Sequence, residues 1–500
     1  MKQYFLDRLP QSRGARIMAG CLLAYFALFF WLACRKFDAC TWDTNDIAQL
    51  DGVFYMTLRG KFFLLYWRNL SYFAFHAEPL LLMVVPVFYL VPSPKTLLFI
   101  QTLCITLAAI PVYLIARKVL EHEAGGILMA LAFLLCPSLV GQNINQASTA
   151  AFPLPFLLFA FYFFHEQRMR PFIICLALAC LGKESIALTA LMFVPYALWK
   201  RRSWNWALAA AVIPLAALGL TLGMIRPYFS QGRMNHALEY YPGFGNSLGE
   251  FVTTILTRPD KVSAALFTSA NGSYVALMLM AAGVVLPFLA VEAVFIVPEA
   301  VLNLLSSNTG MKVPVWLYNV YVGTFLVIAA LYAIPKVNRF LRPHLGVANY
   351  GPVLAGCLLV LSASNWWQWF RPQEYNLPPQ FAAQQQAFKM VPPDDTLLVG
   401  PGQLLGHVSH REILMPVHMH AEEIAKGRTE RCFLANWVLF DMNYRIPQQG
   451  WFVPRELFMA YATNSNYEAV FSQDNVFIFH RRIPFPLAQM PHNMWDEATR

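Results

Sequence analysis

The sequence predicts a polytopic α-helical membrane protein with a small α/β domain at its C-terminal end. The 500-residue chain is 57% hydrophobic and 13% charged, whereas soluble domains carry about 25% charged residues. Apolar runs that can cross a hydrocarbon core of about 30 Å recur through residues 1–370. Lysine and arginine cluster between these runs, as they do in cytoplasmic loops. The net charge of +9 therefore reflects membrane topology, and the predicted partners are membrane lipids and no nucleic acid.

The first predicted helix covers residues 16–34 and follows a basic segment, which places the N-terminus in the cytoplasm. Its apolar stretch is longer than the core of a signal peptide and no small-residue cleavage site closes it, so it is predicted to remain as an uncleaved first helix. Residues 35–94 then form an outer loop at the plasma (inner) membrane. Within this loop, residues 79–91 are apolar but too few to span, and they are predicted to form a re-entrant or interfacial helix.

The remaining apolar runs bring the predicted number of crossings to about eleven. Run 273–305 is too long for one helix and is divided into a hairpin near Glu292, because a single span would place the basic stretch "KVNRFLR" outside. The other predicted crossings are 95–116, 124–141, 151–165, 171–182, 185–199, 205–226, 317–335 and 347–364.

Residues 371–500 are predicted to form an extracytoplasmic α/β domain, separate from the transmembrane domain at 1–370. The stretches "TLLVG", "ANWVLFDM" and "NVFIFHRR" have the pattern of strands, and "PRELFMAYATNSNY" has that of an amphipathic helix between them. The turn at 400–402 lacks the spacing of a phosphate-binding loop, so nucleotide binding is not predicted. The nine cysteines form no zinc-binding pattern.

Three aspartates, Asp43, Asp46 and Asp51, follow the first predicted helix at the outer face. In a helix, Asp43 and Asp46 would share a face and Asp51 would point away from them. Two interpretations are open. The acids belong to a solvated loop, or one of them is a general base whose proton affinity is raised beside a low-dielectric wall.

Other charged and aromatic residues beside apolar segments are candidates for substrate binding, each with a structural alternative. His76 and Glu78 precede the re-entrant segment. They are interpreted either as contacts for the substrate or as ordinary polar residues at a helix end. Lys183 and Glu184 separate two short apolar runs, where they form a surface turn or a phosphate site with a neutralising acid. The next outer loop combines cations with aromatic rings, which suits a phosphorylated sugar or interfacial anchoring. Its candidates are Arg226, Arg233, His236, Tyr240 and Tyr241.

Six stretches of the chain carry a family resemblance. They are "NDIAQLDGVFYMTLRG", "FHAEPLLLMVVPVFYLVPSPKTLLFIQ", "IPVYLIARKVL", "LGKESIAL", "PEAVLNLLSS" and "MVPPDDTLLVGPGQLLGHVSHRE". In this order they resemble the bacterial membrane family called domain of unknown function 2079, which is similar in turn to the GT-C glycosyltransferases. The resemblance spans nearly the whole chain and implies a GT-C-like transmembrane domain.

The resemblance implies a membrane glycosyltransferase that uses a polyprenyl-phosphate sugar as its donor. It carries the role of catalytic base over to Asp46, with Asp51 as the second acid of the pattern. The sugar, the acceptor, any divalent metal and any protein partner stay open. A transporter or lipid flippase and a non-catalytic assembly protein are the alternative classes, although no internal repeat of the transporter kind is visible.

Overall fold

The computed structural model describes residues 13–65, 70–145, 147–230, 236–345, 349–417, 433–444 and 453–486. Helices dominate the part that carries the apolar runs. They are α1 (Arg13–Asp38), α2 (Asn45–Leu58), α3 (Val85–Leu90), α4 (Pro94–Val119), α5 (Glu123–Leu134), α6 (Pro137–Ile144), α7 (Leu154–His165), α8 (Met169–Cys180), α9 (Glu184–Leu191), α10 (Phe193–Trp199), α11 (Trp204–Leu220), α12 (Arg226–Ser230), α13 (Leu248–Thr257), α14 (Pro259–Leu266), α15 (Ser269–Ala281), α16 (Val297–Leu305), α17 (Val320–Leu345) and α18 (Gly351–Trp367). A two-stranded ladder, β1 (Leu64–Leu65) with β2 (Leu70–Ser71), follows α2.

Four helical stretches of the described chain are long and apolar enough to cross a membrane: Arg13–Asp38, Pro94–Val119, Trp204–Ser230 and Leu317–Pro343. Two bent helix pairs, α5 with α6 at 52° and α14 with α15 at 61°, raise this number to six if each pair is one span. The predicted crossing at 124–141 is therefore not one straight helix. Pro137 begins α6, and because its ring removes an N–H and constrains the residue before it, the helix breaks there. The count of about eleven crossings stays a prediction.

The apolar stretch at 79–91 forms a 3₁₀ turn, Pro79–Met83, followed by the short helix α3. Proline at the first positions of both elements limits the regular helix that can form there. The backbone N–H of Leu80 donates to the carbonyl of Leu181 at 2.9 Å, so this segment is attached to the turn that connects α8 to α9.

The long apolar run at 273–305 is interrupted, because α15 ends at Ala281 and 3₁₀ turns lead to α16. Glu292, expected as a turn residue, is 2% exposed within one of these turns. Its carboxylate accepts a hydrogen bond from the Tyr196 hydroxyl at 2.7 Å and lies 3.0 Å from the Lys200 ammonium. This ion pair brings together two segments that the charge pattern assigns to the same side of the membrane.

The C-terminal domain has a five-stranded sheet in the order β4-β3-β5-β7-β6. Its strands are β3 (Leu397–Gly400), β4 (Leu414–Pro416), β5 (Trp437–Asp441), β6 (Tyr467–Gln473) and β7 (Val476–Arg481), and its helices are α19 (Phe381–Met390) and α20 (Arg455–Ala462). Strands β4, β3 and β5 are parallel, whereas β7 and β6 continue the sheet as an antiparallel hairpin. The three predicted strands correspond to β3, β5 and β7, and the predicted helix corresponds to α20.

The C-terminal end of α1 is attached to the segment that leads into this domain. Lys36 is 5% exposed, lies 2.6 Å from the Glu374 carboxylate and donates to the Asn145 side chain at 2.7 Å. A buried ammonium needs partners of this kind because unpaired charge is costly away from water. The same end of α1 is paired with the start of α4 through Asp38 and Lys95 at 2.8 Å. These contacts determine where the chain enters α2.

Candidate functional site

The candidate site begins at the first turn of α2, which carries Asp46. Asp43 precedes this helix and accepts a hydrogen bond from the backbone N–H of Asn45 at 3.0 Å, a local bond that favours a helix start. The Asp46 side chain is exposed to solvent. Protein atoms nevertheless surround it closely enough that loss of hydration raises the pKa of its carboxyl, against the opposing effect of Lys183. We call the surroundings of this exposed carboxyl group the recess.

Lys183 occupies the turn between α8 and α9. Gly182 precedes it, and a Cβ atom at that position would lie 2.7 Å from the ring of Pro153, so a side chain there would displace the turn. The Lys183 ammonium lies 5.9 Å from the centre of the Tyr318 ring, within the range of a cation–π contact. The lysine is therefore presented by a turn that is packed on α7 and bonded to the 79–83 segment.

Two further acids interact with the same lysine. Glu78 is 1% exposed, and burial raises the pKa of its carboxyl to about 7, although Lys183 and Thr149 act against this rise. Glu299 is 7% exposed, and its carboxyl group lies near the backbone N–H groups of Tyr321 and Val322 in the first turn of α17, where the helix dipole favours a carboxylate. Asp46, Glu78 and Glu299 thus all lie within electrostatic range of Lys183.

The second cation of the region is already paired. The Arg226 guanidinium lies 3.6 Å from the Glu184 carboxylate and also donates to the backbone carbonyl of Phe75. These two partners fix the guanidinium beside the recess and neutralise it. Among the predicted residues, the structure thus brings together Asp46, Glu78, Lys183, Glu184 and Arg226.

Tyr318 was not predicted from the sequence. Its side chain interacts with Tyr240 and lies within electrostatic range of Asp46. The backbone carbonyl of Tyr318 accepts a hydrogen bond from the Asn303 amide at 2.9 Å, and Asn303 also contacts the side chains of Tyr274 and Asn319. A polar network of this kind gives the loop before α17 a defined position. No local motif in the sequence marks Tyr318, because its partners lie in distant segments.

Two further predicted binding residues, His76 and Tyr241, are described by contacts with aromatic side chains. His76 is exposed, and its ring lies 5.1 Å from that of Tyr72. Tyr241 is 8% exposed and belongs to an apolar cluster with Phe244 and Phe251. Both Tyr241 and its neighbour Tyr240 lie within electrostatic range of Tyr318. Arg233 lies outside the described residues.

Asp51 is separated from Asp46. Five residues of α-helix turn the side chain by about 500°, so the two carboxylates lie about 140° apart around α2. Asp51 is fully buried and accepts a hydrogen bond from the Ser409 hydroxyl at 2.6 Å, and Nε2 of His410 lies 2.9 Å from the same oxygen. Burial raises the pKa of Asp51, and these two partners oppose the rise. Asp51 therefore contacts the C-terminal domain and does not share a site with Asp46, as its predicted role of second acid would require.

The Asp51–Ser409 contact should contribute measurably to stability. We expect Ser409→Ala to lower the free energy of unfolding by about 1–3 kcal/mol, because a buried carboxyl group would lose its donor. The measurement is thermal unfolding of the purified protein in detergent. Ser472→Ala, at an exposed position of β6, is the matched control. Equal midpoints for the two variants would contradict the assignment.

No group of three or more histidine, cysteine, aspartate or glutamate side chains in the described part of the chain is arranged to hold a metal ion. The positive charge near Asp46, Glu78 and Glu299 is that of Lys183. What the cluster can do is accept a proton at Asp46 and bind an anion at Lys183.

The fold is that of a mostly helical membrane protein with an attached C-terminal sheet domain, and it resembles the fold of ArnT. The crystal structure of ArnT from Cupriavidus metallidurans bound to undecaprenyl phosphate matches with a TM-score of 0.51 and 11% identity, over 92% of this chain and 97% of that chain. The apo structure of ArnT gives a TM-score of 0.49 and 13% identity, over 91% and 98%. The chain itself belongs to the family described as "Predicted membrane protein (DUF2079)", whose model matches residues 46–478. No curated protein matches it.

Proposed function

We propose that this protein transfers a sugar from a polyprenyl-phosphate donor to a hydroxyl group of a lipid, glycan or protein acceptor at the outer face of the plasma membrane. The observation that carries the proposal is that Asp46, a solvent-exposed carboxyl group in the first turn of α2, lies within electrostatic range of Lys183. A base and an anion-binding cation are the two groups that such a transfer requires. The GT-C-like fold supports the class, and the similar ArnT structure contains undecaprenyl phosphate.

In the proposed reaction, Asp46 takes the proton of the acceptor hydroxyl as its oxygen bonds to the anomeric carbon of the sugar. The bond between that carbon and the phosphate oxygen breaks, and the polyprenyl phosphate leaves with the electron pair. Lys183 stabilises the negative charge that develops on the phosphate. Its contact with the Tyr318 ring orients the ammonium without neutralising it.

The raised proton affinity of Asp46 serves this role. A carboxylate with an ordinary pKa near 3.9 is a weak base at neutral pH. Loss of hydration raises the pKa of Asp46, which brings the group closer to the range in which general bases work efficiently. The positive charge of Lys183 acts against this rise.

The proposed orientation places the N-terminus in the cytoplasm and the recess and C-terminal domain outside. Two contacts support it, because they join segments that the positive-inside rule assigns to the cytoplasm. These are the ion pairs Lys118–Glu166 and Lys200–Glu292. The acids and cations of the recess come from segments that the same rule assigns to the opposite face.

The direct test uses the purified protein in lipid nanodiscs with a panel of undecaprenyl-phosphate hexoses and pentoses and a bacterial envelope extract as acceptor. We expect release of undecaprenyl phosphate together with incorporation of the sugar into the extract. Movement of an intact lipid-linked sugar across proteoliposome membranes without product would contradict the proposal and identify a transporter or flippase.

A further inference from the structure

One face of α2 is covered by the C-terminal domain. Successive α-helical residues are separated by about 100°, so positions 44, 48, 51, 55 and 59 fall along one side. Asp46 falls on the opposite side, about 180° from the centre of this row. The helix therefore has two partners: the C-terminal domain on one side and the recess on the other.

Each position of the row contacts the domain. Ala48 is fully buried in an apolar cluster with side chains of the sheet domain. Asp51 is bonded to Ser409, and the Tyr55 ring stacks on that of His410 with the ring centres 4.7 Å apart. At the far end of the helix, Arg59 forms an ion pair with Asp394 at 3.0 Å.

Thr44 makes the contact nearest to Asp46. Its side chain is completely buried. Its hydroxyl group donates toward the backbone carbonyl oxygens of Gly402, at 2.9 Å, and Gln403, at 3.1 Å. The same hydroxyl oxygen accepts the backbone N–H of Gly406 at 2.9 Å. The Thr44 hydroxyl therefore acts both as a donor and as an acceptor toward the loop at 402–407.

This use of the hydroxyl is unusual for the residue before a helix. Threonine at an N-cap commonly bonds a free N–H group of its own helix. Thr44 does provide the carbonyl that receives the Ala48 N–H at 2.9 Å, but its side chain makes no capping bond. Its side-chain bonds go to the C-terminal domain instead.

The loop also lies against the helix without an intervening side chain. A Cβ atom at Gly406 would lie 2.8 Å from the Phe37 ring and 3.2 Å from both Ile47 and Thr44. Even an alanine there would separate the loop from the start of α2. The first turn of α2 is therefore held by direct contact with the loop backbone.

We propose that Thr44 is a positioning residue, which holds the first turn of α2 against the C-terminal domain and so maintains the position of Asp46 relative to Lys183. The inference rests on the proposed function, since it assigns the domain a part in the same site. The C-terminal domain is then part of the catalytic unit, because it holds the helix that carries the base Asp46. Thr44 itself does not contact substrate.

The test compares Thr44→Val, which preserves shape and removes the hydroxyl, with Thr44→Ser, which retains the hydroxyl. Valine leaves a buried N–H and buried carbonyl groups without their partner, so the helix start should loosen. Arg59→Gln is the matched control, because it weakens the same interface at the other end of α2. All variants are full-length proteins in nanodiscs.

Two measurements are made on each variant. Hydrogen–deuterium exchange of peptides covering residues 48–54 should be about tenfold faster in Thr44→Val, with Thr44→Ser and Arg59→Gln close to the native protein. Release of undecaprenyl phosphate should fall by about tenfold to a hundredfold in Thr44→Val, while binding of undecaprenyl phosphate itself stays unchanged. That separation distinguishes positioning from general loss of structure, which would weaken both.

Unchanged exchange in Thr44→Val would overturn the inference whatever the activity. Faster exchange with native release rates would overturn it as well, because the loosened helix would still carry a functional base. An equal loss of binding and release in Thr44→Val would also overturn it. The proposed function is tested separately by Asp46→Asn, whose result does not depend on Thr44.

Discussion

Asp46→Asn is expected to lower the rate of sugar transfer by about a hundredfold to ten-thousandfold, the range that general-base catalysis contributes. The amide has nearly the same shape but cannot take the acceptor proton. Helix α2 should form as before, because Asp46 makes no hydrogen bond to the C-terminal domain in the described structure. Transfer is measured as the rate at which sugar is incorporated into the acceptor, together with the rate at which undecaprenyl phosphate is released.

Asp43→Asn provides the matched control. Asp43 lies three residues earlier, and burial raises the pKa of its carboxyl to about 7. An asparagine oxygen can still accept the Asn45 N–H, so the helix start should persist and activity should change by no more than about threefold. Native transfer by Asp46→Asn would remove Asp46 from the mechanism. A severe loss in Asp43→Asn alone would move the role of base to that residue.

Lys183→Gln is expected to have two effects, because its ammonium acts on both the phosphate and Asp46. Binding of undecaprenyl phosphate should weaken by about tenfold or more, since charge-assisted contacts to phosphate are among the stronger polar interactions. Lys183 also lowers the pKa of Asp46, so its removal raises that pKa further. A smaller fraction of Asp46 is then ionised at a given pH, and the acidic limb of the rate profile moves to higher pH.

The measurements are binding in nanodiscs and transfer rates across the pH range. Lys95→Gln is the control, because Lys95 is a more exposed lysine that pairs with Asp38 at the start of α4 and does not appear among the groups acting on Asp46. Lys183→Arg should retain the position of the acidic limb, since it preserves the charge. If Lys183→Gln binds the lipid normally and its acidic limb does not move, the lysine has no part in the site.

Several site residues could be predicted from the sequence because they are charged residues within or beside apolar segments. Asp46, Glu78, Lys183 and Glu184 are charges beside apolar segments, and placing charge there is costly enough to be noticed in a single sequence. Tyr318 and Glu299 were harder to identify. A tyrosine before an apolar run is ordinary at a membrane interface, and a glutamate at a helix start is explained by the helix dipole.

The sequence by itself determined the membrane class, the position of most apolar helices and the acidic stretch that contains Asp46. These follow from hydropathy and charge, which act locally along the chain. Only the tertiary structure decided that Asp46 and Asp51 have different partners, that Thr44 bonds the C-terminal domain and that three acids lie within electrostatic range of Lys183. Those relations depend on how distant segments pack, because the direction of a side chain around a helix becomes informative only when the neighbours on each side are known.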